Sequence, residues 1–132
     1  MQDILTPISP GELIDKLTIL EIKAARIKDP AKLTNVNHEL QLLQAAWSKS
    51  GYDQHLIQPQ WEELRRINVQ LWEIEDLIRE EERAGRFEAE FIRLARAVYL
   101  TNDERARVKR EINLRLGSAI VEEKSYAEYR SG

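Results

Sequence analysis

The sequence contains no cysteine, which excludes disulfides, thiolate metal sites and cysteine nucleophiles. Its two histidines, His38 and His55, are too few for a multi-histidine metal centre. Glycine and proline are sparse, at five and four of 132 residues, so regular structure is seldom interrupted. Neither sign of charge dominates: 20 Lys and Arg stand against 23 Asp and Glu, a formal net charge of −3. A general binder of nucleic acid or of an anionic membrane surface would be basic, so both partners are set aside. No stretch approaches the ~18 consecutive apolar residues of a membrane helix. Residues 1–10 carry Asp3 where a secretion signal has basic residues, so cytoplasmic residence is expected.

Against these absences stands an ample apolar content. Leu, Ile, Val and Phe fill 36 of the 132 positions, more than the ~20% below which chains tend to stay disordered. The length suits one domain spanning residues 1–132.

Its punctuation is helical. Ser9-Pro10-Gly11-Glu12 has the spacing of a capping box, with Pro at the first helical position and Glu at the third. Leu13, Leu17, Leu20, Ala24 and Ile27 then recur in steps of three and four, the period of one helix face. Asp29-Pro30 ends this helix and caps the next, whose face is Leu33, Val36, Leu40, Leu43 and Trp47, with Gly51 as its stop. So short a link predicts an antiparallel hairpin. After a loop over residues 51–58, Pro59 opens a third helix with Leu64, Ile67, Leu71, Ile74 and Ile78, closed at Gly85. A fourth begins near Phe87, passes Phe91, Leu94 and Val98, and either breaks at Thr101-Asn102-Asp103-Glu104 or runs on to Leu116 before Gly117. Residues 118–132, with Ile120, Val121, Tyr126 and Tyr129, are expected to dock as a tail. No segment alternates with period two for long enough to be a strand. The expected fold is all-α, an antiparallel bundle of four to five helices.

Some polar residues break the amphipathic pattern. Glu21 falls between Ile14 and Leu17 on the first helix. Asn68, Glu75 and Arg79 lie along the Leu64 and Leu71 line of the third, and Glu75 can pair with Arg79 one turn on. On a continuous fourth helix the stripe changes from Phe91, Leu94 and Val98 to Asn102, Arg105 and Lys109, with Asn113 at its edge. Ionised side chains are costly in a core unless paired, so these groups are expected to meet. One outcome is an internal network that fixes helix register, and another is long side chains reaching out at the bundle edge. A third is a pocket for a small anionic ligand, made from Glu21, Asn68, Glu75, Arg79, Asn102, Arg105, Lys109 and Asn113.

Weaker patterns add little. Glu73 and Asp76 share a side of the third helix but lack the second acidic motif a Mg²⁺ site would need. The basic run from Arg105 to Arg115 spreads around its helix, with Glu104 and Glu111 interleaved, where nucleic-acid binding wants one face. No metal or cofactor is implied. Ile19 and Ile22 point away from the main stripe of the first helix, beside Asp15 and Arg26. A helix apolar on two sides is buried on two sides. It is thus either the central helix of the bundle or part of a homodimer interface.

The stretch from Ile8-Ser9-Pro10-Gly11-Glu12 through Leu20-Glu21-Ile22-Lys23 resembles the opening of a bacterial family of unknown function. The likeness continues through Leu71-Trp72-Glu73-Ile74-Glu75-Asp76, Val98-Tyr99, Thr101-Asn102-Asp103, Lys109-Arg110-Glu111-Ile112-Asn113 and Glu122-Glu123-Lys124-Ser125-Tyr126. It implies a small all-helical protein and no particular activity. Leu13-Ile14-Asp15-Lys16-Leu17 through Arg26 also resembles the first helix of all-helical chorismate mutases. That resemblance implies a dicarboxylate held by Arg, Lys and Glu or Gln side chains inside a bundle, with Arg26 as the matching residue. The family's long first helix is here cut at Asp29-Pro30. The sequence thus frames two functions: a non-enzymatic interaction protein, acting as a homodimer around a charged interior, or a binder or mutase of a small anionic metabolite.

Overall fold

The computed structural model describes residues 2–129. Four α-helices follow in order: α1 (Pro10–Arg26), α2 (Pro30–Lys49), α3 (Gln58–Ala84) and α4 (Ala89–Arg115), with a 3₁₀ turn over Gln54–Ile57 before α3. Among the described residues there is no strand, and no helix is long and apolar enough to cross a membrane.

Local chemistry sets the ends. The Ser9 hydroxyl accepts from the Glu12 amide at 3.1 Å, and the Asp29 carboxylate accepts from the Ala31 amide at 3.0 Å. Only half of the expected capping box forms, because the Glu12 side chain turns instead to Lys109 on α4. Gly85 ends α3 with a left-handed φ of 70°, which any side chain would oppose. The spacing at residues 101–104 does not interrupt α4, which is continuous for 27 residues. At 1.5 Å per residue, α3 and α4 are each ~40 Å long.

The contacts fix the directions. Gln60 reaches Glu111, and Arg107 reaches Glu63, so α3 and α4 run antiparallel. Gly11 meets Asn113 and Asp15 meets Arg105, so α1 is also antiparallel to α4. The core lies where these three helices and the 3₁₀ turn converge: Leu13, Ile14 and Leu17 of α1, Ile57, Trp61, Leu64 and Ile67, then Val108 and Ile112 of α4. The outer helix, α2, packs on α1 and buries only Val36 fully. Its Trp47 meets Trp61 edge-on, with ring centroids 5.3 Å apart. This makes α1 the central helix. Ile22 is buried within the chain and Ile19 is half-buried, so the second apolar side of α1 is covered by the chain's own packing.

Beyond α4, residues 118–129 form no regular structure and lie back along that helix. Arg110 pairs with Glu123 at 2.6 Å, and Lys124 with Asp103 at 2.9 Å. Farther along, Tyr129 packs edge-on against Tyr99 at 5.2 Å. Over its described part the segment thus lies against α4 through these contacts. Arg130, Ser131 and Gly132 lie outside the described residues.

Candidate functional site

The polar centre of the molecule is Asp15. On α1, Gly11, Asp15, Thr18 and Ile22 recur at helical spacing and all are buried. That stripe faces other helices, so the carboxylate must find its partners there. Asp15 is 1% exposed. Its Oδ1 accepts from Nε of Arg105 at 2.8 Å and from Nδ2 of Asn68 at 2.9 Å. Nη2 of Arg105 donates to Oδ2, which completes a two-pronged pair. The same Asn68 amide donates to Thr18 Oγ1 at 2.9 Å, and that hydroxyl donates to the Asp15 carbonyl oxygen at 2.9 Å. The hydrogen bond to Asp15 raises the Arg105 guanidinium above its already high ordinary pKa. Burial opposes that shift, and the charges of Asp15 and Glu12 add to it.

The N-terminus of α1 presses on the same stretch of α4. Gly11 donates its amide to Oδ1 of Asn113 at 2.7 Å. A Cβ at position 11 would lie 2.5 Å from the backbone oxygen of Lys109, so only glycine permits this approach. Lys109 donates to Glu12 at 2.5 Å, with Asp15 at 3.9 Å and Glu122 at 3.8 Å from its Nζ. Ser9, besides capping α1, donates its hydroxyl to Glu122 at 2.5 Å.

Of these groups Arg105, Lys109, Asn113 and Glu122 line a cleft of about 570 Å³ between α4 and the C-terminal segment. Its floor is the α4 stripe Tyr99, Asn102, Ala106, Lys109 and Asn113, with Arg105 and Arg110 flanking it, and Glu122, Lys124 and Tyr126 lie opposite. The volume is in the range of small-molecule sites. Arg105 reaches this cleft with Nε and Nη2 held by Asp15, while Nη1 makes no hydrogen bond among the described residues.

Of the residues singled out in the sequence, Asn102, Arg105, Lys109 and Asn113 line the cleft, and Asn68 stands behind it on Asp15. The other three do not join them. Glu21 pairs with Arg65 of α3 at 3.0 Å, both partly exposed. Glu75 and Arg79 pair with each other along α3, and the Arg79 side chain is 71% exposed. The expected convergence of two carboxylates and three cations in the interior is thus corrected. Register explains it: Arg26, the last residue of α1, meets Glu73, so α3 beyond that point has passed the end of the central helix. Arg26 itself, the match to the mutase pattern, occupies that exposed pair, away from the Asp15 network. Glu73 and Asp76 are exposed, and among the described residues no three His, Asp or Glu side chains are placed to hold a metal ion.

Reasoning from the sequence missed Asp15, Thr18, Ser9 and Glu122. The first two carried a signal: they share the second side of α1 with Ile22, and a polar residue in a buried stripe needs a partner. Glu122 carried none, since its contacts depend on the path of an irregular segment.

Over residues 4–131 the sequence matches the family of unknown function DUF6165. The chain belongs to that family. The DUF6165 match spans all four helices and every residue of the cleft. Searches among curated proteins and among solved structures each return no match.

Proposed function

We propose that this protein acts by binding a small anionic molecule, a carboxylate or a phosphate, in the cleft between α4 and the C-terminal segment. The observation that carries this reading is the state of Arg105. Two of its nitrogens are fixed by a buried carboxylate, its third makes no hydrogen bond among the described residues, and the residue lines the cleft. A guanidinium oriented in this way loses little entropy on binding a second anion, and its planar fork matches carboxylate and phosphate oxygens. Lys109 stands one turn along α4, and the amides of Asn102 and Asn113 add hydrogen-bonding capacity on the same floor. The cleft cations already have carboxylate partners. A ligand therefore adds to the nitrogen of Arg105 that has no hydrogen bond among the described residues and competes with a carboxylate at Lys109.

Native mass spectrometry of the freshly purified protein tests for a retained ligand, seen as excess mass that is lost on denaturation. An NMR titration of ¹⁵N-labelled protein with sodium succinate and sodium phosphate, against sodium chloride at matched ionic strength, then tests the site. Saturable shifts are expected at the amides of residues 102–113. Lys109→Met should weaken binding by about tenfold, the effect of losing one charge-assisted hydrogen bond. Shifts that chloride reproduces, or that fall outside the cleft, would overturn the reading.

A further inference from the structure

Charged groups make most of the described contacts between the C-terminal segment and the helices. Residues 118–129 contribute no helix or strand, and none of them is buried. They are tied down by Glu122 on Ser9 and Lys109, Glu123 on Arg110, Lys124 on Asp103, and the ring contact of Tyr129 with Tyr99. The Glu123–Arg110 and Lys124–Asp103 pairs are exposed, and such pairs are weak and screened by salt, while the Glu122 contacts are partly buried. The segment therefore opens far more readily than the bundle beneath it.

One of these ties sits in the cleft. Glu122 places one carboxylate oxygen 2.5 Å from the Ser9 hydroxyl and the other 3.8 Å from Nζ of Lys109. Lys109 is also a donor on the cleft floor, one turn from Arg105. The carboxylates on its other sides, Glu12 and Asp15, are anchored on the central helix α1. Among the carboxylates around Lys109, Glu122 alone belongs to a segment that can lift away.

We infer that Glu122 is a built-in competitor for the anion site, and that the C-terminal segment is a strap which a ligand's anionic group displaces from Lys109 and Ser9. This rests on the anion-binding reading above. It also names the donors at stake: the anion that takes the place of Glu122 is held by the Lys109 ammonium and the Ser9 hydroxyl. A closed strap lowers apparent affinity by the fraction of time it is closed.

The test uses the whole 132-residue chain, with Glu122→Gln as the variant and Glu128→Gln as its charge control. Glu128 removes the same charge from the same segment without touching Lys109 or Ser9. Two quantities are read by NMR: affinity for succinate and for phosphate, and the mobility of the amides of residues 122–129. In Glu122→Gln the segment should loosen and succinate should bind about tenfold more tightly, as expected if the strap is closed nine-tenths of the time. Phosphate should gain by a similar factor, since a closed strap excludes both anions alike, and Glu128→Gln should resemble the unmodified protein. A looser segment with unchanged or weaker succinate binding would overturn the strap, as would a segment that stays equally ordered in Glu122→Gln. If neither anion binds either protein beyond chloride, the anion-binding reading itself fails and the strap falls with it. That pattern is distinct from the first two.

Discussion

Arg105 and Asp15 form a two-pronged ion pair in which the carboxylate is 1% exposed while the guanidinium side chain keeps 29% exposure. The asymmetry is the central feature of the molecule. Asp15 is enclosed and takes its closest cation from Arg105, whereas the Arg105 side chain stays partly accessible and lines the cleft.

Unequal stability losses should follow. Arg105→Met leaves a buried carboxylate with Asn68 as its nearest donor, and it should cost about 3–5 kcal/mol. Asp15→Asn leaves a cation that can turn toward solvent, so its cost should be smaller, about 2 kcal/mol. Urea unfolding of the two variants measures the difference, and equal losses would contradict the arrangement.

Gly11→Ala should destabilise even though alanine is the better helix former. The added methyl would lie 2.5 Å from the Lys109 carbonyl oxygen, which is backbone and cannot rotate away. Overpacking of this kind costs about 1–3 kcal/mol, against a gain in helix propensity of up to ~1 kcal/mol. A net loss of about 1–2 kcal/mol is expected by thermal unfolding, together with altered amide shifts at residues 109–113.

Glu75→Gln and Arg79→Met should be nearly silent. Their pair is exposed on the part of α3 that α1 does not reach. Changes at such surface positions usually stay within about 0.5 kcal/mol. A melting temperature lowered as far as in Arg105→Met would place them in the interior after all.

Acidification should act measurably at the start of α4. The hydrogen bond from Arg93 holds the Glu90 carboxyl below the ordinary glutamate pKa, partly opposed by burial and aided by the Arg93 charge. A folded-state pKa below the unfolded one means that the stabilisation is fully present above the unfolded value. It is lost as pH falls through the folded value. NMR titration of the Glu90 carboxyl carbon should give a midpoint below that of an ordinary glutamate, and Arg93→Gln should bring it back up.

The all-helical fold was legible in the sequence because its signals are local. Ser9, Asp29, Gly85 and the three- and four-residue apolar steps act within one or two turns, and the helices begin and end close to where they indicate. Asn102, Arg105, Lys109 and Asn113 could be picked out because they replace apolar residues in a stripe already known to face inward.

What the sequence could not decide is how far each helix is covered. Glu75 and Arg79 lie on the same stripe as Leu64 and Leu71, but α1 has only 17 residues against 27 in α3. The mismatch leaves that end of the stripe in solvent. Burial of Asp15 and the seat of Glu122 likewise depend on helices and a segment 90 and more residues away along the chain. Periodicity along one chain fixes which face of a helix is apolar. Whether a polar group on that face is paired, exposed or presented to a cleft is set by the partner that tertiary packing brings to it.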